Sequence, residues 1–190
     1  MPEDEAFQPI SWPRLQPVYL YLAGPAGSGK STVARHLAEH HGFHRIALSD
    51  FCRAEAERRG WPEDRRHLQE AGDRLRGTDA ATLARLAIET HTPDRALGVV
   101  IDGVRLPEEA DALRWVGYLG IGLSASDWTR AARLLERGET WPHPHPTEWE
   151  SGDVEIDYLL PTDDIEDLAL LEVRVARMLR WARARASQGR

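Results

Sequence analysis

Gly24-Pro25-Ala26-Gly27-Ser28-Gly29-Lys30-Ser31 fills every fixed position of the pattern G-x-x-x-x-G-K-[ST], a loop whose backbone N–H groups cradle phosphate. Upstream, Val18-Tyr19-Leu20-Tyr21-Leu22-Ala23 is a short apolar run rich in strand formers. Downstream, Lys30 to His41 has helical spacing, with Val33, Ala34, Leu37 and Ala38 on one face and Gly42 as its stop. Strand, loop and helix in that order are the setting the pattern requires. Lys30 is the single lysine among 24 basic residues, all the others being arginine. Chemistry gives a reason for the exception: a compact ammonium on a flexible stem fits between phosphate groups, where a planar guanidinium is too wide.

Further along, Arg45-Ile46-Ala47-Leu48 reads as a second strand ending at Ser49-Asp50, and residues 51–91 read as helical, with breaks at Gly60 and Gly77. Leu97 to Asp102 is a continuous buried-strand run. Pro107 opens a helix through Trp115, and Tyr118 to Leu123 is a fourth strand. Ser126-Asp127 caps a helix to about Arg137. Ile156 to Leu160 is a fifth strand, and a long helix from Asp163 turns Leu168, Leu171, Val175 and Leu179 inward. Alternation of this kind predicts an α/β protein, a five-stranded parallel sheet covered on both faces. Residues 1–16 are expected to be a loose arm and residues 17–190 a single domain. Within it, the Pro- and Trp-rich stretch 138–152 is expected to be a lid.

The net charge of -7 argues against a long nucleic-acid partner, and no apolar run approaches a membrane span. The lone Cys52 excludes an internal disulfide and fits a reducing cytoplasm. Abundant arginine on an acidic chain points to local clusters for small anions.

If the loop holds a nucleotide, the binding set is Gly24, Ala26, Gly27, Ser28, Gly29, Lys30, Ser31 and Thr32. The Lys30 ammonium would bridge the transferring phosphate and the Ser31 hydroxyl would sit on magnesium. Such a metal usually needs a strand-end acid nearby. Asp102 closes its strand and is the metal candidate; Asp50, expected to close the second strand, would converge on the same loop. Which of the two holds metal water, and which takes the acceptor's proton or orients it, is open at this level.

Several downstream blocks join the loop: Ser49-Asp50-x-x-Arg53-x-Glu55, Leu68-Gln69-x-x-Gly72-x-x-Leu75-Arg76, Val100-Ile101-Asp102-Gly103-Val104-Arg105, and Ile156-Asp157-Tyr158-Leu159-Leu160. Together they resemble the P-loop nucleotide kinases of the adenylate-kinase-like, dephospho-CoA-kinase-like and deoxynucleoside monophosphate kinase group. The resemblance runs through most of residues 18–180 and implies a three-layer P-loop NTPase fold with a helical acceptor-binding region at about 51–91. It implies that Arg53 and Arg105 contact the acceptor's phosphate from two sides, with Gln69 and Arg76 on the pocket wall. It also implies that Arg130 and Arg133, on the helix leading into the lid, close over the transferring phosphates together with Arg137. Two departures stand out: the loop Leu160-Pro161-Thr162-Asp163 lacks the usual asparagine, and the core of the lid has no arginine.

The activity so implied is ATP- and Mg2+-dependent transfer of the γ-phosphoryl group to a small phosphate acceptor, first a (deoxy)nucleoside monophosphate. Phosphorylation of a hydroxyl on dephospho-CoA is the alternative. An ATP-binding regulatory or assembly ATPase is the rival from another class. The implied partner is a small molecule rather than a nucleic acid or a membrane, and monomer and homodimer are equally open. His36 and His40 are placed on an exposed helix face, His143, His145 and Glu148 in a solvated Pro-His repeat, and Trp61 and Trp128 in the core.

Overall fold

The computed structural model describes residues 16–90, 96–139 and 153–188. The expected N-terminal arm, apart from Gln16, and nearly all of the expected lid lie outside the described residues. Five strands are present among the described residues: β1 (Val18–Ala23), β2 (Phe43–Ala47), β3 (Gly98–Val104), β4 (Leu119–Ser124) and β5 (Tyr158–Pro161). They form one sheet in the order β2-β3-β1-β4-β5, with every neighbouring pair parallel. The helices among the described residues are α1 (Lys30–His41), α2 (Leu48–Arg58), α3 (Arg65–Arg76), α4 (Thr82–Glu89), α5 (Pro107–Trp115), α6 (Asp127–Glu136) and α7 (Leu168–Ser187).

Strand alternation builds the three layers. In β1, Leu20 and Leu22 point into one apolar cluster with Val33 and Leu37 of α1 and Leu171, Val175, Met178 and Leu179 of α7. Tyr21 and Ala23 point the other way, into a cluster with Leu83, Ala84 and Ala87 of α4 and Ala110 and Leu113 of α5. Burial on both faces explains why these strands read as unbroken apolar runs. The order places β1 between β3 and β4, so the chain leaves β1 where the winding direction reverses. Crevices at such switch points are where open α/β sheets place ligands.

Local signals set most boundaries. α1 ends where expected, because Gly42 adopts φ 68° and its N–H caps the Leu37 carbonyl. Ser126 caps α6 by accepting from the Thr129 N–H. The last helix starts later than expected, at Leu168, because the Asp167 carboxylate accepts the Ala169 and Leu170 N–H groups. Leu168, at that first helical position, is exposed rather than inward. Trp128 also departs from its expected core position and stands 81% exposed.

Candidate functional site

Residues 24–29 leave the end of β1 and turn directly into α1. That helix begins without a side-chain cap and with no acidic residue in its first turn, so no side chain there offsets the positive end of its dipole. Gly27 has φ 77°, and a Cβ there would sit 2.8 Å from the Arg130 carbonyl oxygen, so α6 lies directly against the loop. The Ser28 hydroxyl oxygen is buried and has no hydrogen-bond partner among the described residues. The Lys30 Nζ donates to the carbonyls of Gly24 at 2.6 Å and Pro25 at 2.9 Å, which curls the ammonium across the loop. An uncapped helix start and an ammonium at the loop are together the positive donor groups that an oligophosphate requires.

Beside the loop lies a cavity of about 420 Å³, lined by Lys30 and Ser31, by Arg53, Gln69 and Arg76, and by Asp102 and Arg105. It brings together residues far apart in the sequence. Asp102 lies on β3 opposite Leu22 of β1 and Ala47 of β2, and is 4% exposed. Its Oδ2 accepts from Arg45 Nη2 at 2.9 Å, a partner on β2 that sequence reading missed.

Asp50 is corrected. β2 stops at Ala47 and Leu48 opens α2, so Asp50 lies in the first turn of a helix, not at a strand end. An acid is favoured there by the helix dipole. Its exposed carboxylate pairs with Arg53 Nη1 at 2.5 Å and is not among the residues lining the cavity. Arg53 does line it, held also by Glu63 at 2.9 Å and the Ser49 hydroxyl at 3.2 Å.

Arg105 and Arg76 share an organiser, Glu109, that is wholly buried. One carboxylate oxygen accepts the backbone N–H of Arg105 at 3.0 Å and of Leu106 at 3.3 Å. The other accepts Nε of Arg76 at 3.1 Å and its Nη2 at 2.8 Å. Arg65, another wall residue absent from the sequence reading, pairs across the cavity rim with Glu139. No spacing or motif marks Arg45 or Arg65 as a member of this site; only the packing of β2 and α3 around the cavity does. Cys52 also lines the cavity, and burial pushes its thiol pKa up, so it is a weak nucleophile.

The two lid-helix arginines differ from expectation. Arg133 is buried and donates to four acceptors: Glu166 at 2.9 Å and the carbonyls of Thr162 at 2.7 Å, Asp163 at 3.2 Å and Gly27 at 3.3 Å. Its guanidinium therefore clamps the phosphate loop to the loop after β5 and is not a mobile lid group. Arg130 donates from Nε to the Ala26 carbonyl at 2.9 Å and from Nη1 to Asp127 at 3.0 Å, so it lies along the phosphate loop. Thr162 completes this seam, its hydroxyl within hydrogen-bond distance of the Ser28 carbonyl (2.8 Å) and the Ser124 carbonyl (2.9 Å). The position where an asparagine was missed is thus occupied by a structural threonine.

Residues 20–156, from within β1 to just before β5, match the AAA domain family AAA_18. The chain belongs to that family. This AAA-domain chain is 36% identical over 125 residues to a UPF0200 protein of Aeropyrum pernix, covering 63% of the chain and 66% of the relative. It is 38% identical over 125 residues to a UPF0200 protein of Pyrobaculum aerophilum, covering 64% and 67%. The chain thus spans about two thirds of the length of these curated relatives. An adenylate kinase of Sorangium cellulosum is 38% identical over 96 residues, which are 50% of the chain and 43% of that enzyme. Among solved structures, a gluconokinase from Sinorhizobium meliloti covers 94% of the chain and 100% of its own with TM-score 0.55 at 18% identity. A shikimate kinase from Acinetobacter baumannii covers 87% and 95% with TM-score 0.56 at 18% identity. The AAA-domain match and these neighbours bear out the five-stranded parallel, three-layer fold and the P-loop kinase likeness read from the sequence.

Proposed function

We propose that the protein is an ATP- and magnesium-dependent phosphotransferase whose acceptor is a small nucleotide-like molecule, first a (deoxy)nucleoside monophosphate. One observation carries this reading: the cavity that begins at Lys30 and Ser31 continues without a break to Arg53, Arg65, Arg76 and Arg105. A second cluster of guanidiniums beside a phosphate loop suits an acceptor that carries its own phosphate, because the planar fork pairs bidentately with phosphate oxygens. The partial likeness to an adenylate kinase supports the same acceptor class.

In this reading the backbone N–H groups of the loop and the Lys30 ammonium neutralise the donor phosphates. Ser31 and Asp102 would hold magnesium, which supplies charge neutralisation on the phosphate oxygens when bound. Arg53 and Arg105 would hold the acceptor phosphate, with Arg76 fixed beside them by Glu109. Gln69, on the cavity wall, would contact the rest of the acceptor. Arg130 and Arg133 act indirectly, by holding the shape of the loop. Asp50 is assigned to holding Arg53, because its carboxylate is paired with that guanidinium at 2.5 Å. Most of the rate gain would come from positioning and preorganised charge.

ADP release measured against a panel of nucleoside monophosphates, dephospho-CoA and no acceptor tests the proposal. Stimulation by a monophosphate is expected. Turnover that is equal with and without every acceptor would support a regulatory ATPase instead and overturn the phosphotransferase reading.

A further inference from the structure

At the far end of α1 from the phosphate loop, three side chains that phosphoryl transfer does not use converge. His36 Nε2 lies 2.8 Å from Glu172 Oε2, and His41 Nε2 lies 3.1 Å from the same oxygen. Glu172 comes from the second turn of α7, 136 residues from His36. Contrary to the sequence reading, His36 is buried, because α7 packs over the face that carries it. His41 is largely buried, and Glu172 is 47% exposed, so the cluster opens to solvent on its carboxylate side. Among the described residues, these are the three whose ligand atoms of the His, Cys, Asp and Glu types all lie within 4.8 Å of one another.

We propose that His36, His41 and Glu172 form a binding site for a zinc-class divalent transition-metal ion that joins the C-terminal end of α1 to α7. Two imidazoles and one carboxylate are a donor set that zinc accepts as three protein ligands, with water in the fourth position. Around a tetrahedral ion with bonds of about 2.0–2.1 Å, neighbouring ligand atoms stand about 3.3 Å apart. The contacts at 2.8 and 3.1 Å need to spread by a few tenths of an ångström, and all three ligand atoms already lie within 4.8 Å of one another.

Each imidazole now directs Nε2 at the shared carboxylate oxygen, so in the metal-free cluster an Nε2–H donates there. On metal binding, a neutral ring moves its proton to Nδ1, and a charged ring releases one. Hard cations such as magnesium prefer all-oxygen sets and are disfavoured.

The test is titration of the full chain, stripped with chelator, with zinc and with cobalt(II) as a spectroscopic probe. One equivalent is expected to bind, with a visible cobalt absorption typical of four-coordination, and to raise the melting temperature at pH 7.5. Glu172→Gln, half-exposed and able to keep its hydrogen bonds, should weaken binding at least ~10-fold, and His41→Ala likewise. A His143→Ala/His145→Ala variant should bind as the parent does. Failure of the parent to bind zinc, or undiminished binding by both Glu172→Gln and His41→Ala, overturns the proposal. Because neither substitution touches the phosphate loop, ADP release would remain near the parent's, and its loss would not count for the metal site.

Discussion

The fully buried carboxylate of Glu109 receives Arg76 through Nε at 3.1 Å and Nη2 at 2.8 Å while its other oxygen holds the Arg105 backbone N–H at 3.0 Å. One acid on α5 thus positions two arginine-bearing segments on the cavity wall. Both of its oxygens are satisfied, which is the condition for keeping a charge out of water. Glu109→Ala would leave Arg76 without its buried partner and free the turn at Leu106. We expect a loss of about 3–5 kcal/mol of unfolding free energy in urea titrations. Glu109→Gln should keep more stability yet raise the acceptor KM more than the ATP KM, since the amide no longer fixes the guanidinium.

Lys30 is the only side-chain amine in the protein. An amine-directed reagent should modify it in the nucleotide-free protein, and saturating Mg·ATP should block that modification as read by mass spectrometry. Lys30→Arg should lower ADP release by ~100-fold or more, the usual scale for losing a preorganised charge at the reacting group. Its melting temperature should move little. Unchanged labelling at saturating nucleotide would refute the assignment.

Gly27 can accept neither the left-handed strain nor the volume of a side chain. A methyl group there meets the Arg130 carbonyl oxygen at 2.8 Å, and φ is 77°. Gly27→Ala should cost about 1–2 kcal/mol in backbone strain alone. It should also weaken ATP binding at least ~10-fold in equilibrium dialysis, because the loop must retreat from α6. Gly60→Ala is the comparison: its φ is 68° but nothing lies within 4 Å, so stability should drop while nucleotide binding persists.

Arg133 bridges three segments through a rigid fork, so Arg133→Lys cannot reproduce it. Unfolding free energy should fall by about 2–4 kcal/mol. Arg133→Lys and Arg133→Ala should be similar in stability, which calorimetry can check. Near-parental stability of the lysine variant would contradict the clamp.

Acid should weaken the same seam. The Arg133 guanidinium holds the Glu166 carboxyl below its ordinary 4.5, and the Ser126 N–H with the Thr129 hydroxyl holds Asp163 below its ordinary 3.8. With folded values depressed, the unfolded chain binds more protons in that window, so stability rises with pH through it. The contribution is complete above the unfolded values and drains as pH falls through the folded ones. Urea midpoints should therefore drop between about pH 5 and pH 3, and Glu166→Gln should flatten that slope.

What the chain spells out locally, it spells out well. Val18–Ala23, the glycine loop and Lys30–His41 needed only neighbouring residues: an apolar run for the strand, glycines for the turn, and Gly42 to end the helix. The alternation of elements likewise carried the parallel, two-sided sheet, since strands buried on both faces leave an apolar signature. Asp102 and Arg105 could be marked because they flank a strand end. Asp50 was misplaced because Leu48 satisfies strand and helix patterns alike, and only its burial among α2, α3 and α4 decides for the helix.

Everything that depends on which side chains meet across elements belonged to the tertiary structure alone. Arg133 reaches Gly27 over 106 residues, Arg76 reaches Glu109 over 33, and His36 reaches Glu172 over 136. No periodicity encodes such pairs, because an arginine that clamps a loop and one that faces water have the same spacing on a helix. The phosphate loop was legible because its ligands are consecutive backbone groups. The acceptor wall, the arginine clamp and the histidine cluster were not, because their geometry is set by how helices cross the sheet.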